Sequence, residues 1–181
     1  MNVKNVLKRA CDFIGLDDIR SAIEDNDATE AQTAVINKLL KYFNRVQEEI
    51  ATEFCPVSYS ESISAKDSLQ FSTLTKTILS VVSVKDGSGE RLIYKLFPDH
   101  ITYKGTAKEI VYSYIPEDVA ITEDILYLVP LRVYGYGIAR EYYLTEGLTD
   151  KAISFENRFK NSINTLMRKD NTTRMPARKW L

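Results

Sequence analysis

Residues 27–56 read DATEAQTAVINKLLKYFNRVQEEIATEFCP, and the text from residue 57 onward changes period. Asp27 with Glu30 three residues later reads as a helix N-cap in a carboxylate version of the capping box, which satisfies donors that the first turn leaves free. Ala31, Val35, Leu39, Tyr42, Val46, Ile50 and Phe54 then recur at steps of three and four and form one apolar stripe. Lys38, Lys41, Arg45, Gln47 and Glu48 face elsewhere. Pro56 stops the helix, because it has no N–H to donate and it restricts Cys55 before it. Beyond it, residues 57–115 are dominated by Thr, Val, Ile, Tyr and Phe, and their alternation is that of strands. A long amphipathic helix that hands over to a strand-rich stretch predicts an α+β chain.

Working outward, Val3, Val6, Leu7, Ala10, Phe13 and Ile14 give a short helix that Gly15 ends as a left-handed cap. In the strand-rich part, Thr77–Lys85, Leu92–Phe97 and Lys108–Tyr114 are the expected strands. Asp86-Gly87-Ser88-Gly89 supplies a hairpin turn between the first two. Ile101–Tyr103 reads as a short further strand turning at Lys104-Gly105. Helix is expected again after Thr122, which caps a turn carrying Glu123 and Asp124, and Pro130 either kinks that helix or begins a second one. Leu131, Tyr134, Ile138 and Tyr142 line the stretch to Glu146, and Gly147 ends it. A final helix from Thr149-Asp150 carries Ala152, Phe155, Phe159, Ile163 and Leu166 at helical spacing. Residues 171–181 show neither period. The expected organisation is a helical bundle from the N- and C-terminal helices (1–56 and 120–170), with a small antiparallel β-sheet inserted at 57–119 and an extended C-terminal arm at 171–181.

At 181 residues the chain fits one compact unit, or one unit with a sizeable insertion, but not two full domains, and 44% apolar with 27% charged residues is ordinary globular composition. Two cysteines, Cys11 and Cys55, make no disulfide framework and favour a reducing compartment. The N-terminal text lacks the apolar run of a signal peptide, and no stretch approaches the length of a membrane span, so a soluble, unexported protein is expected. Charge is unevenly placed. From Arg158 onward there are seven basic residues against the single acid Asp170, whereas residues 115–150 hold seven acids against Arg132 and Arg140. A basic end on an acidic body suggests a tail that contacts something negative, with a solvated helix face as the alternative.

No set of residues reads as catalytic or metal-binding. His100 is the only histidine, so a His-rich metal site is excluded and a Cys–His pair has no local support. Asp25-Asn26-Asp27 with Thr29 resembles the start of a calcium loop but has Glu30 where glycine is needed and Ile36 where glutamate is needed. Asp86-Gly87-Ser88-Gly89 lacks the Gly-Lys-Ser/Thr of a phosphate loop. No carboxylate pair stands out as acid and base. The expectation is a non-enzyme with no cofactor and no metal.

Two features point to assembly. Gly135 and Ala139, four apart on a helix, leave a groove for close helix packing inside the chain or for a subunit contact. The arm Arg174, Met175, Pro176, Ala177, Arg178, Lys179, Trp180 and Leu181 carries large apolar anchors flanked by cations, the residue types that dominate binding hot spots. Folding back onto its own chain is the alternative for that arm.

The run Tyr136-Gly137-Ile138-Ala139-Arg140-Glu141-Tyr142-Tyr143-Leu144, then Glu146-Gly147, Asp150, Ala152, Phe155, Arg158 and Phe159, and the basic ending with its tryptophan, resembles the head–tail connector (adaptor) proteins of tailed bacteriophages, including the tail-tubular type. The likeness is specific over Leu131–Leu181 and weaker for the N-terminal helices, and residues 57–115 match only in being strand-rich. The resemblance implies a structural virion protein made in the host cytoplasm and located in the neck. It implies a twelve-fold homo-oligomeric ring under the portal protein that extends the channel for double-stranded DNA and offers a platform to the next neck or tail protein. It also implies that the C-terminal arm docks on the portal. On that reading the acidic middle region faces the passing DNA without holding it, and the basic end faces the portal. A nucleic-acid-binding module using the basic end, and a neck stopper or tail-completion protein, are the alternatives; a pI near 5.9 is low for the first.

Overall fold

The structure, a computed structural model, describes residues 1–125 and 128–170, with only the backbone of 168–170. Its elements run α1 (Val3–Ile14), α2 (Asp17–Asp25), α3 (Glu30–Glu49), a π-helical turn at Ile50–Phe54, β1 (Val57–Gln70), β2 (Ile78–Lys85), β3 (Tyr94–Leu96), β4 (His100–Tyr114), α4 (Leu131–Thr145) and α5 (Thr149–Asp170). The architecture is α+β, with an antiparallel sheet between helices. The chain divides into two compact units, one of residues 1–46 with those from 119 onward, the other of residues 47–118.

In the helical unit, Asn2 caps α1 by accepting the Lys4 N–H at 2.9 Å, and Gly15 at φ +83° ends it with its N–H on Cys11 O. Val3, Val6, Leu7, Ala10 and Cys11 are fully buried. Helix α2 was not expected, because its apolar face is only Ile19, Ala22 and Ile23; Asp17 and Asp18 supply the favourable sign in its first turn. The start of α3 differs from expectation. The capping pair is Thr29 with Gln32, whose Oε1 accepts the Thr29 N–H at 2.9 Å while Thr29 Oγ1 accepts the Gln32 N–H at 3.3 Å, so Asp27 and Glu30 do not form the box. The buried face is also rotated: Ala31 is exposed, while Ile36 and Phe43 join Leu39, Tyr42 and Val46.

The helix expected after Thr122 does not form there. Residues 123–125 run beside the N-terminus, with Val3 N–H donating to Glu123 O at 3.2 Å and Ile125 N–H to Met1 O at 2.8 Å. The first N–H groups of a helix need outside acceptors, and this segment supplies one to α1. Pro130 stands immediately before α4, where its fixed φ is tolerated. This helix is the centre of the unit. Val133, Tyr134, Gly135, Gly137, Ile138, Ala139 and Tyr143 are buried on nearly all its sides, with α1 and α5 packed against it.

In the sheet unit, the end of the long helix leaves α geometry. Cys55 N–H reaches Ile50 O at 2.7 Å, an i to i+5 bond, just ahead of Pro56. Gln47, expected on a solvated side, is buried, with its amide donating to Glu117 O. The sheet order is β1-β4-β2, and β3 also pairs β4. Two strands read separately in the sequence, Ile101–Tyr103 and Lys108–Tyr114, belong to one strand, β4, and Lys104-Gly105 does not reverse the chain. The site is a bulge instead. Between the pairs Lys66–Thr106 and Ser68–Thr102, β1 contributes only Asp67 (φ +61°) against Tyr103, Lys104 and Gly105 (φ +107°) of β4. The Asp67 carboxylate accepts the Gly105 N–H at 3.1 Å and holds this corner.

Bending both strands at one place doubles the ribbon over, so Leu69, Ile101 and Tyr103 from one half share a core with Ile110 and Tyr112 from the other and with Val84 of β2. Tyr94 of β3 closes it by donating to Val81 O of β2 at 3.1 Å. The Asp86–Gly89 turn is present, with the Asp86 carboxylate accepting from Ser88 and Glu90 N–H groups. It returns the chain for only one rung (Lys85 opposite Arg91) before β3 leaves β2 for β4.

Candidate functional site

The stretch 136–159 falls on the α4–α5 hairpin. Gly147 at φ +72° turns the chain, and Leu148 N–H bonds Tyr143 O at 2.9 Å, so the two helices leave a tight joint. Tyr143 stacks on Phe155 with ring centroids 5.6 Å apart, and Tyr136 lies against Phe13 of α1 at 4.7 Å. Arg140 is the polar lock. Its guanidinium meets Glu156 at 2.8 Å and Glu141 at 2.9 Å and lies over the Phe159 ring. Burial pushes the Glu156 carboxyl up, and the hydrogen bonds from Lys160 and Arg140 outweigh it and hold the group below its ordinary value. Gly135 lets the Phe13 ring approach so closely that an added Cβ would stand 2.9 Å from it, and Ala139 is fully buried. Both positions face neighbours within the chain.

Around the hairpin joint, Leu144, Leu148 and Ile153 are about half exposed. Leu144 and Ile153 line a shallow groove of 280 Å³ with Ala152, and Arg140, Glu141 and Glu156 rim it. A second apolar surface lies on the sheet unit. Leu79 and Val82 are the extra residues of two bulges on β2, which turn that edge away from strand pairing and leave both side chains exposed. Ile93 just before β3, Leu96 on it and Phe97 just after it are exposed, Ile93 at 94%. Ile93 was legible in principle, since Arg91, Ile93 and Lys95 share one phase of the strand and Leu92 and Tyr94 the other. Ile153 lies off the α5 stripe and gave the same kind of signal.

The arm Arg174, Met175, Pro176, Ala177, Arg178, Lys179, Trp180 and Leu181 lies outside the described residues. The remaining chemical candidates have structural surroundings. His100 stacks flat on Phe97 at 4.6 Å and bonds Asp99 at 2.7 Å, which holds the Asp99 carboxyl below its ordinary value. Burial, with Asp12 and Asp18 nearby, pushes the Cys11 thiol up to about 12, so it keeps its proton at neutral pH. Asn26 ends α2 in the left-handed region, and its side chain accepts from Lys4 Nζ. Among the described residues no group of three or more His, Cys, Asp or Glu could hold a metal ion, and no helix is long and apolar enough to cross a membrane. No protein-family model matches the chain, and no curated protein matches it.

Proposed function

We propose that the chain is a structural virion protein, a head–tail connector (adaptor) that forms a homo-oligomeric ring, docks on the portal through residues 174–181 and extends the DNA channel toward the tail. The observation that carries this reading is the α4–α5 hairpin. The residues that resemble the connector family make its internal locks (Arg140 to Glu156, Tyr143 on Phe155), and α5 leads directly into the arm. A rigid hairpin ending in a basic, tryptophan-bearing segment suits a ring component, because many weak arms held at fixed spacing bind with high effective concentration. The two apolar surfaces, one on each unit, support association as well. A ring closes through heterologous contacts, which need two different surfaces on every subunit.

In that role the chain performs no chemistry. Its work is to hold position while DNA passes. The reading is tested by growth of a phage whose gene for this chain carries an early stop. DNA-filled heads without tails, restored to infectivity when purified chain is added to the lysate, is the expected result. Normal tailed particles lacking the chain would overturn it.

A further inference from the structure

One face of the β3–β4 ribbon is built unlike the rest of the surface. Arg91, Ile93, Lys95, Thr102 and Lys104 project from it, lining with their neighbours an open groove of 670 Å³ in which no residue is a carboxylate. Ile93 stands almost wholly in solvent between the two cations. No ion pair joins Arg91, Lys95 or Lys104 to an acid among the described residues. Asp67 of β1 and Asp99, just ahead of β4, are engaged with the Gly105 N–H and with His100. An exposed isoleucine framed by unpaired cations is a poor surface for a chain that stays alone, and its chemistry asks for an occupant with an apolar group between carboxylates.

A base-free acidic segment of the chain offers that chemistry. Residues 115–131 contain Glu117, Asp118, Glu123 and Asp124 and no basic residue. Within it Val119 N–H donates to the Asn44 side chain at 3.2 Å and Glu123 N–H to Ala120 O at 3.1 Å. Asp118 and Glu123 are exposed and make no ion pair among the described residues, and Ile121 lies between them, partly buried. Spacing agrees as well as sign. Arg91 and Lys95 are at most about 14 Å apart and Asp118 and Glu123 at most about 17 Å, spans that long cationic side chains can bridge.

We infer that the Arg91–Ile93–Lys95 face of one copy receives the Asp118–Ile121–Glu123 segment of the next, as the heterologous contact that propagates around the ring. The inference rests on the ring reading, and the test separates the two. Two variants are made, Arg91→Glu with Lys95→Glu, and Asp118→Lys with Glu123→Lys, all at exposed positions, with circular dichroism as the check on folding. Sedimentation velocity of the full chain is then followed against concentration at low salt.

Wild type is expected to self-associate, more weakly as salt rises, and each variant alone is expected to lose at least about tenfold in association because like charges meet. Mixed together, the two variants should associate again, since one then offers an acidic segment to an intact cationic face and the other a basic segment to an acidic face. Variants that associate as wild type does, a mixture that stays apart, or wild type that is monomeric up to millimolar concentration would each overturn the contact. Portal binding by the same variants at single-copy level reports on the connector reading independently.

Discussion

Replacing Gly137 by alanine sets two effects of opposite sign against each other. In a helix interior alanine is favoured over glycine by about 1 kcal/mol, so at an open position the change stabilises. Here the new Cβ would stand 2.6 Å from Val46 Cγ1, 2.9 Å from Val46 Cγ2 and 3.3 Å from the Phe159 ring. Carbon atoms need roughly 3.5–4.0 Å, so about 1 Å of displacement is required. Val46 cannot supply it by rotation, because a β-branched residue in a helix is stiff at χ1 and both of its methyl groups are already in contact. Val46 and Phe159 are fully buried, so the helices themselves must shift, and overpacking of this kind costs about 1–3 kcal/mol, here toward the upper end. The expected net result is a loss of about 1–2 kcal/mol in urea unfolding followed by helical circular dichroism. Val46→Ala in the same background removes the obstructing methyl groups, and the double-mutant cycle should show favourable coupling of about 1 kcal/mol or more. A Gly137→Ala protein that gains the full propensity term would refute the close approach.

Gly105→Ala should destabilise by about 1–2 kcal/mol, because the corner holds that residue at φ +107°, while Gly87→Ala, with a negative φ and only an ordinary contact to Lys108, should stay within about 0.5 kcal/mol; chemical denaturation of both measures the difference. Stability should fall as pH rises from about 9 toward 12. Burial raises the Cys11 thiol, and burial with the Glu61 hydrogen bond raises the Tyr112 hydroxyl, each to about 12, so the folded chain keeps protons that the unfolded chain releases near 9 and 10; Cys11→Ala should flatten the lower part of that limb in a pH series of thermal melts. In native protein a thiol reagent should modify Cys55 and leave the buried Cys11 untouched until denaturant is added, which a titration with and without urea shows directly. Trp180→Ala should leave the melting temperature unchanged and weaken portal binding by about 2 kcal/mol, measured by calorimetry.

Local signals told where elements occur better than they told how elements are joined. Gly15, Pro56 and Pro130 mark real ends because each acts on its own backbone. Strand β1 alternates Ser58, Ser60, Ser62 and Ser64 with Val57, Tyr59, Ile63 and Ala65, a period-two pattern masked by serine's weak preference for strands. Gly105 announced a positive φ, but a bulge and a reversing turn use the same conformation, and only the pairing partner Asp67 decides between them. The caps at Thr122 were overridden by the N-terminus, which takes that segment as its hydrogen-bond partner 120 residues away in sequence, a distance no local pattern encodes. For the assembly surfaces, alternation along Arg91–Lys95 implied an outward Ile93, whereas the bulges that expose Leu79 and Val82 depend on the register with β4 and left no trace in the sequence.

The connector reading stands or falls most directly on whether the chain binds portal rings through its arm. Portal rings from the same source are mixed with full-length chain, or with a version ending at Asp170, and the complexes are weighed by light scattering after size exclusion. The account predicts co-elution of many copies per portal ring for the full chain and none for the shortened one. Absence of binding by both, or equal binding by both, would contradict it.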